Sequence, residues 1–354
     1  MSGLGEVTEG QDVLPEIEHR NRIRATVSLL RGPLPTEAEL TANWPADSPV
    51  VVSVICATYN HAPLVDDALR GFMCQQTDFR FEVIVRDDAS TDGTQRILHE
   101  YAERYPKVIR LVLHERNTFS AGQRPVYEFP DYIRGEFVAI CQGDDFWTRA
   151  DKLQRQVDQL RRRPDCIASM AATLVCDVAL QQDEVTGVSD SEMVYPGLPT
   201  RYHHPSSYLI RAGPYIEIIR RYFIPTGLYG DTPLRRFLAH YGRICTLPEV
   251  VSVYWVNQKG IWSGLSEREQ AEQEFINSMR IIRVAPLGVK RAELSTVIAN
   301  GSRLAQQARQ PAGVRGRLAH LPYLPFVAIH ALMQRLVSAR SARRAGRSMW
   351  KGNT

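Results

Sequence analysis

Two pairs of adjacent acidic residues each follow an apolar run that predicts a buried strand. The first acidic pair is Asp87 and Asp88, and the second acidic pair is Asp144 and Asp145. In open α/β sheets, ligands bind outside the carboxyl ends of the strands. Two adjacent carboxylates repel each other, and a divalent cation that carries phosphate groups would supply the counter-charge. The two pairs therefore predict a site for a metal-bound nucleotide.

The second acidic pair carries the clearer signal for a metal. Mg²⁺ and Mn²⁺ commonly take one or two carboxylates from a protein and complete their coordination with substrate phosphates. A solvated turn before a helix is the alternative, because acidic residues favour helix N-termini. The residues Phe146 and Trp147 that follow the pair are unusual in a solvated turn. We therefore interpret Asp144 and Asp145 as candidate ligands of Mg²⁺ or Mn²⁺.

The loop that contains the first acidic pair suits a nucleoside. Its carboxylates could accept hydrogen bonds from a uracil N–H or from sugar hydroxyls, and the small Ala89 and Ser90 would let the ligand approach. A capped turn before a helix explains the same residues equally well, because Asp and Ser form local hydrogen bonds. The loop alone does not separate the two interpretations.

The turn after the first predicted strand contains Thr58, Tyr59 and Asn60. The ring of Tyr59 could flank a nucleotide base. Alternatively, Asn60 ends the strand and Tyr59 belongs to the core, which is the stronger interpretation when this turn is taken alone.

Asp231 and Lys152 have two interpretations each, and two adjacent histidines are considered as metal ligands. Asp231 follows a glycine and precedes a helix, so it could be an N-cap or a general base for an acceptor hydroxyl. Lys152 could neutralise a phosphate or be a solvated helix residue. For His203 and His204 we expect no metal site, because they lie in a loop without a partner at ligand spacing.

Strand and helix signals alternate from residue 50, which predicts a parallel sheet with helices on both faces. The expected strands are residues 50–57, 81–85, 108–113 and 137–141, and the expected helices are residues 63–73, 91–104 and 151–162. After Cys166 the signals weaken. The expected elements there are strands at 188–195, 208–210, 244–247 and 250–254, a helix at 231–241, and helices from Glu267 onward.

The composition is that of an ordinary globular protein. The chain has 354 residues, of which 44% are hydrophobic and 23% are charged. The six cysteines form no CxxC pair, so we expect buried free thiols in a reducing compartment and no zinc site. We find no signal peptide and no apolar run long enough to span a membrane. These features predict a cytoplasmic protein.

Five motifs, in order along the chain, resemble those of the family-2 inverting glycosyltransferases, which have the GT-A nucleotide-sugar-binding fold. Residues 87–94 (Asp-Asp-Ala-Ser-Thr-Asp-Gly-Thr) are close to the family's Asp-Asp-Gly-Ser-Thr-Asp-Gly-Thr loop, and residues 143–147 (Gly-Asp-Asp-Phe-Trp) resemble its Gly-Asp-Asp-Tyr-Trp. The other three are residues 53–60, 230–234 and 250–263. Each motif is weak alone, but five in this order are specific.

The resemblance implies an α/β Rossmann-like domain with a mostly parallel central sheet, followed by a helical C-terminal extension. It implies that Thr58, Tyr59 and Asp88 contact the base of a nucleotide-sugar donor, with Asn60 and Asp87 beside them. The donor would most simply be a UDP-sugar, and the acceptor a hydroxyl of a saccharide or of a lipid-linked sugar in bacterial surface polysaccharide synthesis.

The resemblance also assigns the chemistry. Asp144 would lie near the ribose and pyrophosphate, Asp145 would hold the metal, and Asp231 would deprotonate the acceptor hydroxyl, so that the product has inverted stereochemistry. Further candidate contacts to the acceptor or diphosphate are Trp147, Lys152 and Trp262.

The chain departs from the family pattern at two places. Gln142 occupies the family's first acidic position, and the closing block has Trp255 and Asn257 where the family usually has Arg and His. These departures leave open a nucleotide-sugar-binding protein that has lost activity. A sugar nucleotidyltransferase is the third hypothesis, but it would normally have a Gly-rich basic loop after the first strand.

The implied domains are a leader at 1–49, with one helix at about 17–30, a glycosyltransferase domain at 50–265, and a helical basic extension at 266–354. Within the second domain, residues 50–150 would bind the donor and residues 151–265 the acceptor. Residues 295–354 contain ten basic residues and no acidic residue. Together with the apolar stretch 318–337, this basic tail could lie on the inner face of the plasma membrane. The alternative is a helix packed on the catalytic domain. We expect no nucleic-acid partner.

Overall fold

A computed structural model describes residues 13–177, 179–199, 201–256, 262 and 264–307. The chain divides into two compact units, residues 1–260 and residues 261–354. The first unit contains a sheet with its flanking helices, and the described part of the second unit is helical.

Ten strands of the described residues form one sheet in the first unit. They are β1 (Val52–Thr58), β2 (Phe81–Asp87), β3 (Ile109–Leu113), β4 (Phe137–Ile140), β5 (Phe146–Trp147), β6 (Cys166–Asp177), β7 (Gln182–Thr186), β8 (Met193–Tyr195), β9 (Leu209–Arg211) and β10 (Arg243–Val256). The strand order is β3-β2-β1-β4-β9-β6-β10-β5, and β7 and β8 pair with β6 and β10.

The sheet is mostly parallel, as the sequence predicts. Strands β1 to β4 are mutually parallel, and β6 pairs in parallel with β10. The antiparallel β9 joins these two groups, since it pairs with β4 on one side and β6 on the other. The central strands are buried along almost their whole length, because helices cover the sheet, and this explains their continuous apolar sequences.

The helices of the first unit connect the strands and cover the sheet. They are α1 (Val13–Thr26), α2 (Glu37–Leu40), α3 (Val65–Met73), α4 (Thr94–Arg104), α5 (Pro125–Glu128), α6 (Lys152–Arg162), α7 (Ala212–Ile218) and α8 (Asp231–Tyr241). Short 3₁₀ or π turns lie at Ser28–Leu30, Phe129–Asp131, Pro205–Ser207, Ile219–Phe223 and Ile224–Thr226. The apolar faces of α3, α4 and α6 pack into the main core with Phe72, Leu98 and Leu153.

Two long strands differ from the sequence-based expectation. Strand β6, which is twelve residues long, begins at Cys166, where the sequence signals are weak and we expected no strand. The two short strands expected at 244–247 and 250–254 are one strand, β10, with register shifts near Pro248. Both strands owe their conformation to their neighbours in the sheet rather than to a strong local pattern.

The cysteines correct one expectation. Cys166 on β6 and Cys245 on β10 form a disulfide, with their Cα atoms 6.2 Å apart. The prediction that all six cysteines are free thiols is therefore wrong for this pair. Cys56, Cys141 and Cys176 are buried free thiols, in agreement with the expectation, and Cys74 is free but only half-buried.

The described part of the second unit consists of α9 (Glu267–Val284) and α10 (Leu287–Gln307), which confirms the helical extension. Ser266 and Glu269 form a capping box at the start of α9. Asn300 of α10 donates a hydrogen bond to Glu274 of α9 over 3.1 Å. Within the described residues, no helix is long and apolar enough to cross a membrane. The stretch 318–337 and most of the basic tail lie outside the described residues.

Candidate functional site

Three turns meet at one edge of the sheet because they follow neighbouring parallel strands. Strand β1 lies between β2 and β4, and Thr58 at its end is in register with Asp87. The backbone N–H of Gly143 donates to Ala57 over 3.0 Å. The structure thus brings the turn after β1, the first acidic pair and the second acidic pair to the same edge.

The turns after β1 and β2 are joined by hydrogen bonds. Asn60 has a positive φ of 55°, and its side-chain oxygen accepts from the N–H of Thr91 over 2.9 Å. Its own N–H donates to the hydroxyl of Ser90 over 2.8 Å. Asn60 therefore ends the strand, as the alternative interpretation had it. Tyr59 is 45% exposed, so its ring is open to a ligand and does not belong to the core.

Asp87 is a buried hydrogen-bond centre. Its carboxylate accepts from the hydroxyl of Thr58 over 2.8 Å, from the N–H of Ser90 over 2.9 Å and from the amide of Gln95 over 2.8 Å. These contacts use both carboxylate oxygens. Asp87 therefore shapes the edge at which the three turns meet.

Asp88 is fixed, as Asp87 is, by several hydrogen bonds, which come from the loop that contains Thr118 and Phe119. It accepts from the N–H and hydroxyl of Thr118 over 3.0 and 2.6 Å, and from the N–H of Phe119 over 3.0 Å. Arg86 forms an ion pair with it at 3.1 Å. Burial raises the pKa of Asp88, but these hydrogen bonds and the Arg86 charge outweigh burial, and the net pKa is lowered.

The second acidic pair lies in a tight turn after β4. A Cβ at Gly143 would lie 2.4 Å from the Cγ2 of Thr58, so the close approach of this turn to β1 requires glycine. Asp145 is 2% exposed, and its Oδ1 has no hydrogen-bond partner among the described residues. Burial, and secondly the Asp144 carboxylate, raise the pKa of Asp145 well above its usual range.

Two histidines flank the second acidic pair. His204 Nδ1 lies 3.7 Å from Asp145 Oδ2, and His61 Nε2 lies 3.8 Å from Asp144 Oδ2. Tyr254 stacks on His204 with 4.2 Å between ring centroids. Burial lowers the pKa of His204 to about 4, although the charges of Asp231 and Asp144 oppose this lowering. His204 is therefore neutral at pH 7.

Asp231 begins α8 and lies within electrostatic range of His204. Its Oδ2 accepts a 2.6 Å hydrogen bond from the hydroxyl of Tyr202. Arg235, one turn further along α8, lies over the ring of Tyr202 at 4.8 Å. The structure thus places Asp231 and the second acidic pair around the same histidine.

Trp147 and Lys152 lie beneath the site rather than in it. The indole N–H of Trp147 donates to the carbonyl of Ser206 over 2.8 Å. Lys152 donates to Gln156 over 2.8 Å, and its Nζ lies 4.2 Å from the centroid of the Trp147 ring. Both are buried, and burial lowers the pKa of Lys152 to about 7. Their geometry favours support of the turn over direct contact with a diphosphate.

Two of the positions that depart from the family pattern, Gln142 and Trp255, are occupied by well-packed residues, and Asn257 lies outside the described residues. The Gln142 side chain accepts from the N–H of Ala57 over 2.9 Å, so it fixes the turn to β1. Trp255 is buried against Phe146, with 5.9 Å between ring centroids. Trp262 belongs to the second unit and is 43% exposed. Its role stays a prediction.

The donor set at the second acidic pair fits a divalent metal. Mg²⁺ and Mn²⁺ prefer carboxylate oxygens, and imidazole suits Mn²⁺ less well but is accepted by many transition metals. A buried carboxylate oxygen without a partner is costly unless a cation or a proton compensates it. Asp145 and Asp144 would hold the ion. Nδ1 of the neighbouring His204 accepts from the N–H of Ser206 over 3.3 Å, so we do not count it as a ligand.

Sequence reasoning missed His204, Tyr202 and Tyr254 at this site. His204 lies in a loop before β9, and its closeness to Asp145 depends on how β4, β9 and β10 pair. Its neighbour His203 is also buried, with its ring against Gly187. The signal in the sequence was a histidine pair just before a predicted strand, which is too common to identify a ligand.

A second group of potential ligands lies away from this edge. His19 of α1, Cys176 of β6 and Asp183 of β7 bring their ligand atoms within 4.8 Å of one another. His19 is hydrogen-bonded to Asp183 at 2.9 Å, and Arg22 is hydrogen-bonded to the other ring nitrogen of His19. Since hydrogen bonds already connect these groups, their evident effect is to fasten α1 to the sheet.

Known proteins match this chain in sequence. Residues 53–173 match the model of the family described as glycosyl transferase family 2. An uncharacterized protein of Mycobacterium tuberculosis is 34% identical over 226 residues, which are 60% of this chain and 60% of the relative. The chain thus spans less than two thirds of that relative's length. The putative teichuronic acid biosynthesis glycosyltransferase TuaG of Bacillus subtilis is 34% identical over 113 residues, 32% of this chain and 43% of TuaG.

Known structures match the fold. The crystal structure of Staphylococcus aureus TarS in complex with UDP-GlcNAc has a TM-score of 0.54 and 16% sequence identity, over 78% of this chain and 81% of that chain. This likeness shows the GT-A fold alone, in agreement with the fold expected from the motifs.

Proposed function

We propose, from the premise that residues 53–173 form a glycosyl transferase family 2 domain, that this protein is a glycosyltransferase. It moves a sugar from a nucleotide-sugar donor to a hydroxyl of a saccharide or lipid-linked acceptor, with inversion at the anomeric carbon. The name of TuaG supports a role in cell-surface glycan synthesis. Contact of the basic tail with a membrane, which would bring the enzyme to a lipid-linked acceptor, remains part of this proposal.

The proposal rests mainly on the buried oxygen of Asp145 that has no hydrogen-bond partner among the described residues. It lies at the sheet edge where the turns after β1 and β2 also end, so a metal-bound diphosphate and a nucleoside can be bound side by side. The exposed ring of Tyr59 supports a stacking contact with the base. The hydrogen bonds of Asp87 and Asp88 support an indirect role, in which they shape the base-binding turns. We take uridine as the first candidate base.

The acidic pair would hold Mg²⁺ or Mn²⁺, which would stabilise the negative charge that grows on the departing diphosphate. The neutral imidazole of His204 lies next to Asp145 without adding charge, and Ser206 holds its Nδ1 in place. The buried Trp147 and Lys152 support the turn that contains Asp144 and Asp145. The residues of this chain thus position the diphosphate before the acceptor arrives.

Asp231 is our candidate general base. Tyr202 engages Oδ2, and we assign Oδ1 to the acceptor hydroxyl. In the reaction, Asp231 takes the hydroxyl proton, the acceptor oxygen forms a bond to the anomeric carbon, and the bond from that carbon to the diphosphate oxygen breaks. The electron pair of the broken bond leaves with the nucleoside diphosphate. Attack from the face opposite the leaving group inverts the configuration.

The test is release of nucleoside diphosphate from a panel of UDP-, GDP- and dTDP-sugars with candidate acceptors. We expect Asp231→Asn to lower kcat by about 10²–10⁴-fold and to leave donor affinity unchanged, since a base acts in the chemical step. Asp78→Asn is the matched control, because Asp78 is exposed and precedes β2, at the end of that strand opposite to Asp87. Donor binding without turnover in the wild type would replace this proposal with the nucleotide-sugar-binding protein.

A further inference from the structure

Helix α1 brings a cation towards the second acidic pair from a part of the chain that the five motifs do not include. Arg20 lies over the ring of Trp255, with 5.8 Å between its Cζ and the ring centroid. Trp255 contacts Phe146, and Phe146 directly follows Asp145. Two side-chain contacts therefore connect Arg20 to the acidic pair.

The Arg20 guanidinium is only partly satisfied by the protein. Its Nε is buried, and nothing in the described ranges accepts a hydrogen bond from it. Burial lowers the pKa of Arg20, while the charges of Glu16, Asp144 and Asp67 oppose that lowering. Arginine remains charged at neutral pH. A charged group with an unused donor close to Asp144 is available to bind an anion.

Helix α1 is fastened at several points, so the position of Arg20 is defined. Arg24 forms an ion pair with the buried Asp67 of α3 at 2.8 Å. His19 is hydrogen-bonded to Asp183 at 2.9 Å. Ile23 and Val27 pack in one buried cluster with Phe146 and Trp255. These contacts cover both sides of Arg20 along the helix.

We propose that Arg20 contacts the diphosphate of the donor nucleotide, and that the N-terminal helix thereby completes the nucleotide site. This inference rests on the proposed function. The planar guanidinium presents several N–H donors in a geometry that matches phosphate oxygens. Trp255 serves as the platform that orients it. The N-terminal helix is then part of the binding site rather than a leader on the surface.

The experiment compares UDP with uridine, because only UDP carries the diphosphate. Wild type, Arg20→Ala, Arg20→Lys and Arg31→Ala are titrated with both in the presence of Mn²⁺, by calorimetry for UDP and ligand-observed NMR for uridine. Arg31→Ala is the charge-matched control, since Arg31 is exposed in the same N-terminal segment. Thermal unfolding of each variant shows whether the fold is retained.

We expect Arg20→Ala to weaken UDP binding by about tenfold or more, as for loss of a charge-assisted hydrogen bond. Uridine binding should not change, Arg20→Lys should restore part of the UDP affinity, and Arg31→Ala should bind as the wild type. Unchanged UDP affinity in Arg20→Ala overturns the inference. An equal loss for UDP and uridine also overturns it, because Arg20 would then only support the fold. If the wild type binds none of UDP, GDP and dTDP, the proposed function itself fails.

Discussion

The two acidic pairs follow β2 and β4, the parallel strands on either side of β1, and they differ in what their oxygens contact. Asp87 and Asp88 are saturated with hydrogen bonds from Thr58, Ser90 and the loop at Thr118. At the second pair, Asp145 Oδ1 is buried without a partner in the described structure. His204 lies 3.7 Å from the other oxygen of Asp145, and His61 lies 3.8 Å from Asp144. The same dipeptide thus organises loops at one strand end and stays available for a cation at the other.

The hydrogen bonds that a carboxylate already accepts distinguish a structural carboxylate from a binding carboxylate. A carboxylate that already accepts several N–H and O–H groups has little left for a ligand, and its ionised form is stabilised. A buried carboxylate without such donors is unfavourable as an ion, and the fold retains it at a cost. We therefore propose the second pair as the metal site, and we propose that the first pair shapes the turns at which the base would bind.

Among the variants that compare the two pairs, the largest effect is expected at the second pair. Asp145→Asn keeps the size of the side chain and removes its charge, so the variant should lose metal-assisted stabilisation of the leaving diphosphate. We expect kcat/KM for sugar transfer to fall by about 10²–10³-fold, as for removal of one group that stabilises developing charge. Steady-state kinetics at saturating Mn²⁺ measures this, with Asp78→Asn as the control. Activity close to that of the wild type would show that Asp145 is not a metal ligand.

The next effect is expected at the first pair, on stability. Asp88→Asn leaves the buried Arg86 without one of its counter-charges and disturbs the hydrogen bonds from Thr118 and Phe119. We expect the free energy of unfolding to fall by about 2–4 kcal/mol. Denaturant unfolding monitored by circular dichroism measures it. A variant that is as stable as the wild type but binds uridine poorly would instead make Asp88 a direct contact to the base.

The smallest effect is a difference of sign in the pH dependence of stability. The pKa of Asp145 in the folded protein is raised above the ordinary 3.8. Asp145 therefore contributes to folding stability below pH 3.8, and this contribution is lost as pH rises through the folded pKa. The folded pKa of Asp88 is lowered, so its contribution is present above 3.8 and is lost as pH falls below it.

Unfolding in EDTA between pH 3 and pH 7 would measure both signs. The stability of the wild type relative to Asp145→Asn should decrease with rising pH, whereas its stability relative to Asp88→Asn should increase. The same direction for both variants would contradict the contrast between the two pairs.

The sequence was sufficient to predict the parts of the fold that have strong local patterns. Strands β1, β2 and β4 are runs rich in β-branched residues. The first acidic pair lies at the end of β2, and the second follows β4 after three residues. Strand β6 was missed because its sequence, Cys-Ile-Ala-Ser-Met-Ala-Ala-Thr, contains mostly small residues that favour no element strongly. Its pairing with β9 and β10 decides its conformation.

The site was predictable only where its residues belong to ordered motifs. The environment of Asp88 depends on Thr118 and Phe119, which lie in an aperiodic loop 30 residues further along the chain. The neighbours of Asp145 and Asp231, namely His204 and Tyr202, come from another loop, and Arg20 comes from the N-terminal helix. Such contacts arise from strand order and helix docking, which a local sequence pattern does not encode.

The most direct test of the contrast between the pairs is calorimetric titration with UDP, with and without Mn²⁺, on the wild type, Asp145→Asn and Asp88→Asn. We predict binding that depends on Mn²⁺ in the wild type, and retention of this dependence in any Asp88→Asn protein that remains folded. In Asp145→Asn the enhancement by Mn²⁺ should be lost. Equal enhancement by Mn²⁺ in Asp145→Asn and the wild type would contradict the account.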